Sequence, residues 1–451
     1  MHGIGSRVRL AARVPLRRTA LFTALGLFAA LDAAASHHSH TVARADAKSV
    51  PASYPPAADV VSPNLLRQPG GVSVSEGYGS ALAADPQVPR RFFLLCDRGP
   101  NVDTPQENHI AFLIPTFTPR IGCFQLDGKV LRQIGVIELE DEEGQPLSGL
   151  PPSPADGGTG EVPEDVAGHV LDHDSRGIDP EGLAALKDGT FWISEEYRPS
   201  LLHVDANGRT LERIDPYGAP GHSLPQVLRR RWPNRGIEGV TVTPDGTTLA
   251  AVMESPLLNP TKDAGKKSRV VRLLLLDVAT GKTRQFIDLL DEPGIGNSDI
   301  TALSATHFLV IERDKKRPGD DKEPSRVKRL YRIDITDASD VSDPDDGAGG
   351  LLVNGKTLEE LGEAELQAAG IRPVTKSLVL DLLQLRGGYP HDKPEGVTVI
   401  GDRMVAISND NDFGIDDDGH GNVVAKKLPA ADGAIDRSRI YFIPLQQSVL
   451  P

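Results

Sequence analysis

Cysteine is nearly absent from this chain of 451 residues, which holds only Cys96 and Cys123. A scaffold stapled by several disulfides is therefore excluded. Both cysteines sit in apolar β-type runs, "RRFFLLC" and "RIGCF", a setting that fits one bridge between neighbouring strands and two buried thiols equally. Familiar hydrolase signatures are missing as well. There is no Gly-x-Ser-x-Gly elbow, so a serine esterase of the hydrolase type has no support. There is no His-Glu-x-x-His zinc helix. Beyond the N-terminal region, no apolar run is long enough for a transmembrane helix. Helix-period segments are few. The best, Thr357 to Gly370, opens like a capping box, closes on glycine and reads as an insertion.

The first 36 residues differ in kind. Arg7, Arg9, Arg13, Arg17 and Arg18 make a basic n-region, Ala20 to Leu31 is an apolar run of 12 residues, and Ala33-Ala34-Ala35 offers a cleavage site. This predicts a secretory signal over residues 1–35, the alternative being an uncut anchor. Arg17-Arg18 also fits a twin-arginine signal. The protein is thus expected to be periplasmic or secreted. A Pro/Ala/Ser-rich leader follows over 36–72 and one domain over 73–446. In the leader, His37-His38-Ser39-His40 reads as part of a disordered tail or as a metal-binding one. Loss of residues 1–35 deepens the net charge from −14 to about −18. That balance argues against nucleic acid and anionic membranes and suits cationic ligands.

What is present is a β pattern. Short runs such as "TFWIS", "TLAAVM", "HFLVIE" and "RIYFIPL" are bounded by Asp, Asn, Gly and Pro. One dipeptide opens a strand four times: Glu76-Gly77, Glu181-Gly182, Glu238-Gly239 and Glu395-Gly396, with Asp299-Ile300 in similar flanks. Each is followed by a turn, a second strand and an acid: Asp97, Glu195 and Glu196, Glu254, Glu312, and Asp410 in "NDNDFG". The separations are 21, 14 or 15, 16, 13 and 15 residues. Repeated four-stranded units without helices between them predict an all-β fold, a β-propeller. Five blades are readable, with inserts near 138–176 and 341–370 that leave room for a sixth. The final strand is expected to close the ring with the N-terminal segment.

The start of one antiparallel strand lies beside the end of its partner, so both acids of each blade are expected on one face, around the axis. Carboxylates packed this way repel, and bound cations or arginines relieve the repulsion. An all-oxygen donor set without His or Cys suits Ca²⁺ better than Zn²⁺. The metal-ligand candidates are Glu76, Asp97, Glu181, Glu195, Glu238, Asp299, Glu312, Glu395, Asp410 and Asp412. Glu196 or Glu254 is the candidate general base, with Arg98 or Arg313 offsetting developing charge. His169 and His173 are a weaker metal pair, and Asp416-Asp417-Asp418 reads as a solvated turn.

The segments "DPEGLAALKDGTFWISEEYRPSLLHVDANGRTLERI", "NRGIEGVTVTPDGTTLAAVMESPL", "GNSDITALSATHFLVIERD" and "KPEGVTVIGDRMVAISNDNDFG" resemble the bacterial "esterase-like activity of phytase" family, from about Ser73 to Pro444. The resemblance implies an exported or membrane-associated protein and phosphoester hydrolysis of the phytase or phosphodiesterase kind. It places function on Glu76, Asp97, Glu181, Glu195, Glu196, Glu238, Glu254, Glu312, Glu395, Asp410 and Asp412 together with Arg98 and Arg313. Asp299-Ile300 departs from the pattern. The expected activity is metal-dependent hydrolysis of a small anionic phosphoester by a monomer. The competing expectations are a lactone-hydrolysing propeller and a non-catalytic binding or scaffold propeller.

Overall fold

Branched and aromatic residues form the expected strands, and Asp-Gly or Asn-Gly pairs turn them. Phe191–Glu195 and Ser200–Val204 are typical. Gly189 and Gly208 take positive φ at the adjoining turns, where a side chain would be strained. The computed structural model describes residues 54–67, 72–219 and 222–451. The expected signal and most of the leader, including His37 to His40, lie outside the described residues.

Three sheets are simple antiparallel four-stranded units, running from Pro180–Ala185 to Thr210–Ile214, Ile237–Val242 to Thr283–Leu289, and Gly296–Ala302 to Thr375–Asp381. We number these the second, third and fourth units. An eight-stranded sheet comprises two further units. The first is Ala81–Ala84, Arg91–Leu95, Arg120–Asp127 and Val130–Glu138. The fifth is Pro394–Val399, Met404–Asn409, Arg439–Pro444 and Ala57–Val61. The strand Ala57–Val61 joins the two halves, antiparallel to Arg439–Tyr441 and parallel to Val130–Arg132. The N-terminal segment thus completes the last unit, as the sequence pattern predicts. The first strand of each unit contacts the first strand of the next, and the fifth returns to the first. This closed ring of inner strands is the β-propeller arrangement.

The repeated glycines sit where the ring is tightest. A Cβ on Gly182 would lie 2.6 Å from Val240 N, and one on Gly396 2.5 Å from Leu82 N. Only glycine lets these inner strands approach so closely.

The insert at 341–370 departs from expectation. Thr357 and Glu360 form the capping box, but Gly362 splits the segment into a turn of 3-10 helix, Leu358–Glu360, and a short α-helix, Glu363–Ala368. Glu359 anchors it to the third unit through Arg272 at 2.8 Å, with both side chains fully buried. The stretch "GLLVNGKT", Gly350 to Thr357, matches phosphate-loop spacing. It folds instead as a tight hairpin, Leu352–Val353 against Lys356–Thr357, and Lys356 pairs with Glu365. No strand-to-helix phosphate cradle forms there. Cys96 and Cys123 are both free thiols, so no bridge forms; Cys96 is buried and points at the Glu76 carbonyl oxygen. Among the described residues, no helix is long and apolar enough to cross a membrane.

Candidate functional site

Strand register fixes which side chains are equivalent. Leu82 faces Leu94, Leu183 faces Ile193, Val240 faces Ala251, Ile300 faces Val310, and Val397 faces Ile407. Three residues further along the second strand stand Asp97, Glu196, Glu254, Arg313 and Asp410. Two residues back along the inner strand stand Ser80, Glu181, Glu238, Ser298 and Glu395. In the last four units the pairing shifts at this second position, a β-bulge that re-aims its side chain.

This register corrects several expectations. Glu76 is not a ring residue; Ser80 holds that position, and Glu76 accepts from Gln133 Nε2 at 3.1 Å. The fourth unit contributes Arg313 to the ring in place of an acid. Glu312 aligns with Glu195, and both point away from the axis. Glu195 is held by Arg213 at 2.8 Å and Ser200 at 2.7 Å, and Glu312 by Lys376. Asp299 takes the glycine position, and its carboxylate accepts from Val397 N at 2.7 Å. Burial pushes its pKa well up. His169 and His173 face separate partners, Asp165 and the Pro151 carbonyl. Asp416 pairs with Arg317 at 2.6 Å, while Asp418 caps its own turn at Asn422.

The acids that remain form two triads. One comprises Asp97, Asp179 and Glu181, the other Glu196, Glu238 and Glu254; in each, one oxygen per residue lies within 4.8 Å of the others. The first opens into a cleft of about 230 Å³, also lined by Arg98, Asn234, Lys393 and Asp412. None of the second triad lines this cleft, and all three residues are buried. A larger cleft of about 480 Å³ beside the helix Lys262–Lys267 includes none of the ring acids.

Sequence reasoning missed Asp179. It stands two residues before Glu181, outside the repeated dipeptide, where the fifth unit has Lys393 and the third and fourth have Gly236 and Gly296. That one position makes the cleft asymmetric, with a carboxylate on one side and an ammonium on the other. Lys393 Nζ bonds Asp410 at 2.9 Å and Asp412 at 2.6 Å. Arg98 spans Glu161 at 3.1 Å and Asp179 at 3.6 Å. Asp412 and Phe413 are consecutive non-glycine residues at positive φ, 47° and 57°. That strained backbone shapes the cleft wall and aims Asp412 at Lys393 and Lys426.

Burial and mutual repulsion govern the charges. Burial, then Asp410 and Asp179, pushes Asp97 well up. Burial lifts Asp179 to about 6 although Arg98 pulls it down. Burial, then Asp179 and Glu196, pushes Glu181 well up. In the second triad, burial, Asp179 and Glu254 lift Glu196 to about 8. Burial, Glu196 and Glu254 push Glu238 well up. Glu254 falls below its usual range, because Lys315 and Arg235 overcome its burial. Asp410 is raised by burial to about 8 against the pull of Lys393, whereas Lys393 and Lys426 hold Asp412 well down despite burial. Arg313 is committed within the ring, to Glu395, to Ser298 at 2.8 Å and to Glu238 at 3.5 Å. At neutral pH, then, several of these acids keep a proton or need a counter-ion, and clustered acids of this kind are consistent with a metal site.

Comparison with known proteins places the chain. An uncharacterized secreted protein of Arthroderma benhamiae is 26% identical over 175 residues, covering 30% of this chain and 34% of the relative. The match therefore spans about a third of that relative's length. Among solved structures, a GH43 endo-arabinanase from Bacillus licheniformis has a TM-score of 0.36 at 10% identity, covering 82% of this chain and 94% of the other. The periplasmic gluconolactonase PpgL of Pseudomonas aeruginosa has a TM-score of 0.30 at 14% identity, covering 83% and 90%. The family model described as phytase-like, esterase-like activity of phytase, matches residues 76–413, about three quarters of the sequence. The chain belongs to this phytase-like family.

Proposed function

We propose that the chain is an exported phosphoester hydrolase that works at the cleft over Asp97, Asp179 and Glu181 with a divalent cation, calcium by its donor set. The observation that carries this reading is the cleft itself: an all-carboxylate triad opening to solvent beside the ammonium of Lys393. The residues fit a hard cation. Three carboxylates converge, no histidine or cysteine joins them, and burial leaves Asp97 and Glu181 reluctant to ionise without positive charge nearby. When bound there, such a cation supplies Lewis acidity and offsets phosphate charge.

The chain's own groups supply the rest. Lys393 presents its ammonium to an incoming phosphate, oriented by Asp410 and Asp412. Arg98 is held in place by Glu161 and Asn101 and keeps Asp179 turned into the cleft. Glu181 is the one member of its triad that is only half-buried. Its carboxylate is placed to accept the proton of an attacking water. Glu196, Glu254 and Arg313 do not line the cleft, so the role of base passes to Glu181 and that of substrate-facing cation to Lys393. Export rests on the Arg-rich, apolar segment at residues 1–35, with the periplasm or the medium as destination.

Turnover of phytate and of a bis(aryl) phosphate, measured with calcium and then with chelator, tests the reading. Calcium-dependent release of product is expected. No turnover with any divalent metal overturns it. In that case a chelator that lowers thermal stability without touching activity favours a scaffold, and hydrolysis of a lactone in the same assay favours a lactonase.

A further inference from the structure

The second triad has no part in the mechanism above. Glu196 comes from the second unit, and Glu238 and Glu254 from the third. Each is 3% exposed. We propose that Glu196, Glu238 and Glu254 form a second, separate site for a calcium-type divalent cation, which staples the second unit to the third.

The first ground is spacing. The three converging oxygens lie within 4.8 Å of one another. Three oxygens spread evenly around a calcium ion at about 2.3–2.6 Å are about 4.0–4.5 Å apart. The spacing of the triad is close to this, so a small side-chain adjustment brings all three onto one ion.

The second ground is an unmet polar atom. Glu238 Oε1 lies 3.5 Å from Arg313, but Oε2 is buried with no hydrogen-bond partner. A buried carboxylate oxygen left unpaired is costly, and native structures rarely tolerate one.

The neighbouring cations do not meet this need. Within the triad, Lys315 and Arg235 form ion pairs with Glu254 alone, at 3.0 and 3.8 Å. Arg313 is divided between Glu238 and Glu395. Among the described residues no ion pair reaches Glu196; its Oε1 accepts from Gly236 N at 3.0 Å, and its carboxyl lies within hydrogen-bond reach of that of Glu238. No member of this triad lines the cleft, so its ion meets no substrate and acts structurally. The competing occupant is a proton shared between Glu196 and Glu238.

Metal content decides between them. The full chain is loaded with calcium, dialysed against metal-free buffer and counted by inductively coupled plasma mass spectrometry. Glu181→Gln, which disables the cleft triad, is expected to retain one calcium per chain. The double variant Glu181→Gln/Glu238→Gln is expected to retain none and to lose the calcium-dependent rise in Tm. A Glu181→Gln chain that retains no calcium overturns the proposal. So does a folded double variant that keeps one ion. If the double variant does not fold, the count on Glu181→Gln alone decides. Activity is not the readout: an ion retained by Glu181→Gln together with no turnover by the unsubstituted chain would overturn the hydrolase reading only, and turnover by the unsubstituted chain without an ion retained by Glu181→Gln would overturn this one only.

Discussion

The two carboxylate triads stand side by side in one ring, yet they are balanced differently. The triad over Asp97, Asp179 and Glu181 faces a cleft, and its cations, the buried Arg98 and the partly exposed Lys393, line that cleft. The triad of Glu196, Glu238 and Glu254 is buried, and its cations are the buried Arg313 within the ring and the more exposed Lys315 and Arg235 beside Glu254. The source of the difference is the fourth unit, which puts Arg313 where other units put an acid. One substitution of charge within a repeat thus marks the buried, or dry, half off from the wet half that borders the cleft. Symmetry of fold builds the ring, and departures from symmetry decide what each part of it can do.

The dry half is the place for the largest effect. Arg313 is 4% exposed and serves Glu238, Glu395 and Ser298 together. Arg313→Met leaves those carboxylates without their partner. Removing one member of a buried pair costs about 3–5 kcal/mol. We expect a fall of that order in unfolding free energy, read from the denaturant midpoint at unchanged m-value. A change below about 1 kcal/mol would mean that the two halves do not differ in their need for a buried cation.

The wet half answers with activity rather than stability. Glu181→Gln is expected to lower kcat by about 10²–10⁴, the usual worth of a positioned general base, with little change in Tm. Glu254→Gln, in the dry half, is expected to leave kcat within a few-fold. Equal losses in both variants would erase the distinction.

How much of this was legible in the sequence follows from what each position must satisfy. Gly182, Gly239 and Gly396 were readable because a Cβ at each of these three positions would collide with the neighbouring inner strand, and the glutamates before them share that constraint. The false match at Glu76 came from the same dipeptide. Its separation of 21 residues from Asp97 was the warning, since Ser80 to Asp97 spans 17, near the 15 or 16 of the other units. At "VIERD" the sequence offers an acid and an arginine side by side, and strand register alone shows that Arg313 turns inward. Asp179 belongs to no repeat, because the residue two before each glutamate differs from unit to unit. Sequence repetition reports the scaffold, and the cleft is built from positions that do not repeat.

pH sharpens the contrast further. In the metal-free chain Asp179, at about 6, and Glu196, at about 8, hold their protons more tightly folded than unfolded. An acid with a raised folded pKa binds more protons in the folded state, so stability falls as pH rises from the unfolded value through the folded one. The metal-free Tm should therefore decline between about pH 4, the usual carboxylate value, and about pH 8, where Glu196 titrates. Calcium should reverse the loss, and most strongly at the alkaline end. A metal-free Tm that rises over this interval would show that the protein offsets these acids by other means.

The smallest effect is expected at Glu76, and it tests the ring from outside. Glu76 shares its dipeptide with the ring glutamates, but it bonds Gln133 at 3.1 Å and lies 3.8 Å from Arg120, away from both triads. Glu76→Gln keeps the shape and one hydrogen-bond acceptor. It should cost about 1 kcal/mol or less. Calcium content and kcat should match the unsubstituted chain. If this variant instead loses an ion, sequence similarity outranks strand register as a guide to the ring. The division into a wet half and a dry half would then have to be redrawn with Glu76 inside it.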